Sequence, residues 1–326
     1  MIDAPMPDEP LRTARERAAA GAWAEVRTLL YREAEAARGS AELTTLLGEA
    51  LLRTGHAREA RSWLDEAVPR LERTGDRAAL RRVVNLAGAA GFELGDVAAA
   101  ELHFGRALEL GRADGDDLLV ARATNNLGAI ADLRGQRREA LALFQLALPA
   151  YQRLGHPLGL AQSWHNMAIA YRHLGDAVSA DECELRAIEF AREAESRQLA
   201  AMAQVGRAEL CLARGDAALA AAQARRAANE FADIPDPARE ADALRLAGTA
   251  ALAIGDLDAA REAVERAVSL AEAHGSALIE AESRRARSAV RARSGDPEGA
   301  RDDAARAAAL FERLGMSDAA TDVLGE

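Results

Sequence analysis

The chain has 326 residues with 41 basic and 52 acidic side chains, which gives a formal net charge of −11. General binding to nucleic acid needs a clustered excess of positive charge, so this balance argues against a nucleic-acid partner. The basic residues counted here are all Arg, and the absence of Lys excludes both a phosphate loop that ends in Gly-Lys-Ser/Thr and Schiff-base chemistry.

The first 40 residues divide into two predicted segments. We predict that residues 1–6 are a disordered N-terminus and that residues 7–40 are a degenerate repeat, because Gly21 precedes Gly55 by 34 residues. The start has no basic stretch and no apolar run, so it does not resemble a secretory leader. No segment approaches the roughly 18 consecutive apolar residues of a membrane span. We therefore expect a cytoplasmic protein with no membrane partner, and the Arg-only usage indicates a bacterial source.

Residues 41–320 carry an internal repeat with a period of 40 residues, which makes seven units. A glycine recurs at one position in every unit, and five of these seven glycines are followed by Asp. They are Gly55, Gly95, Gly135, Gly175, Gly215, Gly255 and Gly295. Glycine accepts the left-handed conformation that ends a helix, and Asp caps the N–H groups of the next one. Each Gly-Asp pair therefore predicts a turn between two helices.

A second series of breaks falls twenty residues from the first, as at Gly75-Asp76 and Gly115-Asp116. Only Glu195-Ser196 lacks a Gly or Pro in this series. Between the breaks the apolar residues follow a helical period and show no strand alternation. Each unit is therefore predicted to be a pair of antiparallel helices. Pro69 and Pro149 fall inside second helices, which we expect them to kink or shorten.

Three columns of small residues keep the same 40-residue register, beginning at Gly48, Ala60 and Ala67. Two helices approach closely only where side chains are small, and filling such a site would overpack the contact. The columns therefore predict the contacts between helices. Together with the breaks, they predict an all-α solenoid in which each unit packs on its neighbours.

The last unit contains a cluster of five arginines on one helix. They are Arg284, Arg285, Arg287, Arg291 and Arg293. The cluster has two interpretations, namely contact with phosphate or an acidic partner, or a polar capping unit, and we prefer the second. Residues 316–326 are too short for a full capping helix, and residues 321–326 are predicted to be a tail.

The segment from Trp164 to Tyr171, followed by Gly175, Ala180 and Ala187, resembles the tetratricopeptide repeat. The usual repeat has 34 residues and ends in Pro, whereas these units have 40 residues and lack that Pro. The longer form resembles the repeats of kinesin light chain and of bacterial sensor-type regulators. The resemblance covers residues 41–320 and implies a right-handed superhelix of helix pairs whose concave groove binds peptides.

A helical wheel of the segment from residue 161 places Trp164 and Tyr171 in a packing sector and polar residues roughly opposite. Equivalent positions in neighbouring units are also polar. The predicted partner-binding residues are Arg82, Asn85, Arg122, Asn125, Asn126, Gln162, His165, Asn166 and Arg172. The alternative interpretation is that these residues form a solvated surface.

The family resemblance places this polar face in the groove. Asn126 and Asn166 resemble the Asn that holds peptide backbone in long-repeat relatives. An amide offers a donor and an acceptor to an extended chain, and Arg offers a planar fork suited to carboxylate. We therefore predict a protein or peptide partner, possibly with acidic character.

No catalytic motif is present, since the sequence has no His-Glu-x-x-His, Cys-x-x-Cys or Gly-x-Ser-x-Gly. His165 and His173 lie eight residues apart on one helix, too far to chelate a metal without other ligands. The sequence therefore predicts a protein-binding scaffold with no enzymatic activity, cofactor or metal. The alternative is a regulator that responds to a peptide or ligand and acts through a partner. The sequence leaves the oligomeric state open.

Overall fold

The computed structural model describes residues 8–32, 40–234 and 236–325, and within them it contains seventeen helices and no strand. The predicted disordered segment 1–6 lies outside the described residues, as does part of the predicted degenerate repeat. The chain divides into two compact units, Met1–Gly155 and His156–Glu326. Each unit is described by itself below.

The first unit contains eight helices in the described residues. They are α1 (Asp8–Ala19), α2 (Trp23–Arg32), α3 (Ala41–Arg53), α4 (Ala57–Thr74), α5 (Arg77–Glu93), α6 (Val97–Asp114), α7 (Asp117–Leu133) and α8 (Arg137–Arg153). From α3 onward they form pairs, and the first helices of adjacent pairs also pack together, α3 with α5 and α5 with α7.

The second unit contains nine helices in the described residues. They are α9 (Pro157–His173), α10 (Ala177–Glu193), α11 (Arg197–Ala213), α12 (Ala217–Asp233), α13 (Pro237–Ala253), α14 (Leu257–His274), α15 (Ala277–Arg293), α16 (Pro297–Arg313) and α17 (Ser317–Gly325). Consecutive helices pack on one another, and the first helices α9, α11, α13 and α15 also contact each other in turn. The prediction of an all-α solenoid built from helix pairs is confirmed.

The turns have the chemistry that the sequence predicts. All seven repeat glycines adopt left-handed φ angles between 73° and 85°. The Asp that follows caps the next helix, as where the Asp96 carboxylate accepts a hydrogen bond from the Ala99 N–H at 3.1 Å. At the break that lacks glycine, Glu195 itself adopts φ 53°. Its left-handed conformation explains how this turn forms without a Gly or Pro.

The small-residue columns lie at the contacts between the two helices of a pair. A methyl group placed on Gly88 would come within 2.5 Å of the Phe104 ring, and one on Gly128 within 2.6 Å of the Phe144 ring. The glycine of a first helix thus makes room for a large apolar side chain sixteen residues later. The prediction that these columns mark close helix contacts is confirmed.

The two internal prolines do not shorten their helices. Pro69 lies within α4, which has 18 residues, and Pro149 lies within α8, which has 17. At the end of the chain, α17 has nine residues and buries Ala320 and Val323 against α16. Most of the predicted tail 321–326 therefore belongs to a short helix that covers the last pair.

Candidate functional site

The first helices expose one row of equivalent positions, which we call the first-helix face. Arg82 and Arg122 define it in the first unit, and both side chains are exposed. Gln162, Met202 and Asp242 define it in the second unit, where Gln162 is exposed and the other two are half-buried. Neighbouring helices cover the other sides of each first helix, so this row of positions is the one that they leave uncovered.

The first unit places five predicted binding residues on two adjacent helices, α5 and α7. Arg82 and Arg122 are exposed, and Asn85 and Asn126 are half-buried. Asn85 Oδ1 is a buried atom with no hydrogen-bond partner among the described residues. Asn125 differs from the prediction, because it is only 4% exposed.

The second unit places the other four predicted residues on α9. Gln162 is exposed, and Asn166 and Arg172 are half-buried. His165 is only 7% exposed, so the expectation of an open face is wrong for this residue as it is for Asn125. The physical reason is that a first helix packs on helices from two sides, which buries a wider arc than a single hairpin would.

A pocket of about 170 Å³ opens on the first-helix face of the second unit. Its polar wall consists of His165, Arg172, Glu209, Arg239 and Asp242. Its apolar wall consists of Met202, Val205, Gly206 and Phe231. These residues belong to α9, α11, α12 and α13. The predicted residues His165 and Arg172 are therefore brought together at one cavity, and the polar groups that accompany them come from later repeats.

Behind the pocket lies a buried carboxylate that the sequence analysis did not single out. Glu184 of α10 is 0% exposed, and its Oε2 lies 2.9 Å from Nδ1 of His165. Gly206 both lines the pocket and touches this carboxylate, since a methyl group there would come within 2.1 Å of Glu184 Oε1. The site thus depends on a glycine in α11 that leaves space for an acid in α10.

The repeat register contained a signal that could have identified Glu184. At 40-residue intervals the equivalent positions are all apolar, and all but the last are buried: Leu64, Phe104, Phe144, Ala224, Val264 and Ala304. A carboxylate in an apolar column is costly to bury unless it is paired. The columns of small residues, which indicate the helix contacts, do not include this position.

The electrostatics of the pair follow from its burial. Loss of hydration raises the pKa of the Glu184 carboxyl, and the nearby His165, Arg172 and Arg207 offset this only in part. Burial also lowers the pKa of the Arg172 guanidinium, which forms an ion pair with Glu209. Glu184 Oε1 and Arg172 Nε are buried without a hydrogen-bond partner among the described residues. The site is therefore only partly satisfied from within the protein.

The arginine cluster of the last pair lies around another buried acid. Asp303 of α16 is 0% exposed and accepts hydrogen bonds from Arg284 and Arg287 at distances between 2.6 and 3.2 Å. It also forms an ion pair with Arg291 at 3.0 Å. Arg284 is itself buried and also donates to Glu280 at 2.8 Å. Three of the five arginines are thus engaged inside the last helix pair, which agrees with the structural interpretation of the cluster rather than with an open anion site.

Two further observations concern the described residues. None of their helices is both long enough and apolar enough to cross a membrane. Within the same part of the chain, no group of three or more His, Cys, Asp or Glu side chains is placed to hold a metal ion.

The comparisons with known proteins identify the class of fold. Residues 76–153 and residues 241–274 match family models described as tetratricopeptide repeat. With the helix pairs described above, these matches identify tetratricopeptide repeats in both units of the chain. Repeats of this class are typically protein-interaction modules rather than enzymes. No curated protein matches the sequence.

Three solved structures illustrate the likeness of fold. The STAND protein with a tetratricopeptide repeat sensor from Pyrococcus horikoshii has a TM-score of 0.67 at 18% identity, over 98% of this chain and 52% of that one. A Rap protein complexed with Competence and Sporulation Factor has a TM-score of 0.65 at 14% identity, over 97% and 94%. The apo quorum sensor NprR from B. thuringiensis has a TM-score of 0.60 at 14% identity, over 86% and 79%. At these identities the likeness concerns the fold alone.

Proposed function

We propose that the chain is a protein-interaction module that binds an extended segment of a partner protein along the first-helix face. The observation that carries this proposal is the row of polar groups left uncovered by helix packing. In the first unit, Arg82 and Arg122 are exposed at positions one repeat apart, on the adjacent helices α5 and α7. Regularly spaced polar groups suit an extended chain, whose backbone offers donors and acceptors at regular intervals.

The first unit would hold the partner through Arg122 and Asn126, which lie one helical turn apart on α7. The Asn126 amide can pair with a backbone N–H and a backbone C=O at once. The Arg122 guanidinium can pair with a carboxylate or a carbonyl. An acidic segment would fit the two exposed arginines of this unit.

The test is capture of partner proteins from the native host with the purified full chain, compared between wild type and the double variant Arg122→Ala/Asn126→Ala. We expect the variant to lose at least about tenfold in bound partner, because one charged and one neutral hydrogen bond would be removed. Mass spectrometry with isotope labels measures the ratio directly.

The matched control is Arg106→Ala/Glu109→Ala, which removes an ion pair of 3.2 Å between exposed side chains on the second helix α6. This variant should capture partners as wild type does. Equal capture by all three proteins would contradict the proposal, provided that their circular dichroism spectra and melting curves coincide.

A second candidate is a regulator in which binding of a peptide or ligand changes the conformation of the chain and so its affinity for a partner. Support comes from the solved structures of similar fold, which include a quorum sensor and a tetratricopeptide repeat sensor. Small-angle scattering with and without the captured partner segment separates the two candidates. A regulator requires a change in the scattering curve of the chain itself, whereas a passive scaffold does not.

A further inference from the structure

The pocket between α9, α11 and α13 has the size of one side chain. Its volume of about 170 Å³ is below the roughly 300 Å³ at which pockets for drug-sized molecules begin. It opens on the first-helix face, where the proposed partner segment would pass. Protein interfaces concentrate their binding energy in a few anchors, most often Trp, Tyr or Arg, that fill such pockets.

The two walls of the pocket require a group with an apolar body and a polar end. Met202, Val205 and Phe231 form the apolar wall. An aromatic ring would pack against them, and the Met202 sulfur can make a favourable contact with a ring. An Arg anchor would have to compete with Arg172 and Arg239, which already line the opposite wall.

The polar wall favours a hydroxyl over a carboxylate. The arginines of this wall are already paired, Arg172 with Glu209 and Arg239 with Asp236. A bound carboxylate would therefore meet no unpaired arginine there. The His165 ring uses Nδ1 for Glu184, which leaves Nε2 for a bound group. Nε2 accepts a hydrogen bond when the ring carries its only proton on Nδ1, and it donates one when Nε2 is itself protonated. A hydroxyl can pair with Nε2 in both cases, whereas a carboxylate requires a proton on Nε2 and the indole of Trp requires Nε2 without one.

We propose that this pocket receives a tyrosine side chain of the partner segment, with its hydroxyl on His165 Nε2 and with Glu184 as the positioning residue that orients the imidazole. The inference rests on the proposed function, because it takes the occupant to be part of a bound chain. Glu184 does not touch the occupant. Its effect is exerted through the 2.9 Å contact with Nδ1, which fixes both the orientation of the ring and the nitrogen left for the partner.

The test uses side-chain fragments and therefore needs no knowledge of the partner. p-Cresol, toluene and propionate are titrated separately into the full chain labelled with ¹³C at its methionine methyl groups. Met202 lies in the pocket wall, and Met316, at the start of the last helix, serves as the internal control. We expect p-cresol to shift the Met202 signal and not the Met316 signal, with a Kd at least about fivefold lower than that of toluene. Propionate should cause no shift.

A pair of variants separates the positioning role from a merely structural one. Glu184→Gln keeps the shape of the side chain and should bring the p-cresol to toluene ratio of Kd values close to one. Glu189→Gln makes the same change at an exposed position of the same helix and should leave the ratio unchanged. If Glu184 is only structural, its variant will change the melting temperature without changing the ratio.

Three outcomes would overturn the inference: equal binding of toluene and p-cresol, stronger binding of propionate, or no shift of Met202 with any fragment. None of them depends on Arg122 or Asn126. Loss of partner capture in the Arg122→Ala/Asn126→Ala variant together with a failed fragment titration would therefore reject the tyrosine pocket and retain the proposed function. If instead the variant captured partners as wild type does and p-cresol bound as expected, the proposed function would be rejected.

Discussion

Two acids are fully buried in the second unit, and their surroundings differ. Asp303 receives hydrogen bonds from Arg284 and Arg287 and forms an ion pair with Arg291. All three arginines belong to the helix that precedes it. Glu184 has one hydrogen bond, to His165, and its other oxygen has no partner among the described residues. The Asp303 cluster lies within a helix pair, whereas the Glu184 pair lies directly behind a pocket.

The difference separates a hydrogen-bonded network inside a helix pair from a partly satisfied pair of side chains beside a pocket. A buried polar group that is fully hydrogen-bonded can fix the packing of its neighbours, whereas an unsatisfied one costs about 1–3 kcal/mol. Native proteins contain few unsatisfied groups, and each one calls for a specific explanation. Beside the pocket, Arg172 Nε and Glu184 Oε1 are two such atoms. The terminal arginine cluster is the more conspicuous in the sequence, but only the Glu184 pair includes a residue, His165, that lines a pocket.

The largest effect is expected for Asp303→Asn. The substitution removes the buried negative charge that three arginines surround, and it takes one carboxylate partner from the buried Arg284, at a cost of about 3–5 kcal/mol. Hydrogen exchange should show loss of protection in α15 to α17 while the preceding pairs keep theirs, because stability in a repeat protein is local.

Asp302→Asn provides the control for that comparison. Asp302 is the adjacent residue, and its ion pair with Arg306 is exposed. It should change the stability of the last pairs by no more than about 0.5 kcal/mol. Similar exchange patterns for the two variants would contradict a structural role for the buried network.

A smaller effect is expected for Gly206→Ala. The new methyl group would overlap Glu184 Oε1, so the acid or the helix has to shift, at a cost of about 1–3 kcal/mol in unfolding free energy. Gly105→Ala in α6 adds the same group where nothing lies within 4 Å, and it should stabilise the chain by about 0.5–1 kcal/mol. Thermal denaturation measures the change in stability for each variant. If both variants gained stability or both lost it, the contact between α11 and the buried acid would be contradicted.

The smallest effect concerns the pH dependence of stability. Because the pKa of Glu184 is raised in the folded protein, the folded state binds the proton more tightly than the unfolded chain does. The contribution to stability is therefore complete below the ordinary carboxyl pKa and is lost as the pH rises through the raised value. Glu184→Gln should remove this loss, so the variant should gain stability relative to wild type as the pH is increased above about 4.5. A difference between the two that does not vary with pH would contradict the assignment.

Much of the fold could be predicted from particular residues. The glycine of each Gly-Asp pair adopts the left-handed conformation, and the following Asp caps the next helix, because both properties depend only on local backbone chemistry. The contact between Gly88 and Phe104 could be predicted because the repeat places both residues in register. The alternative that Pro69 and Pro149 shorten their helices is wrong, since α4 and α8 keep full length around them, and the alternative of a kink stays a prediction.

The candidate site was predicted less completely. The wheel of a single helix placed Asn125 and His165 on an open side, but it carries no information on how many neighbouring helices surround that side. Glu209, Asp242 and Gly206 come from later repeats and meet His165 only after the pairs stack. Glu184 interrupts an apolar column, and that interruption was visible in the sequence, although its partner was not.

The sequence by itself determined where each helix begins and ends and which small residues allow the pairs to pack. These features follow from backbone conformation and from a fixed period, both of which are local. Only the tertiary structure decided which polar residues are buried, which acid pairs with His165 and where a pocket opens. Those properties depend on desolvation and on distances between helices that are separated in sequence, and no single repeat contains that information.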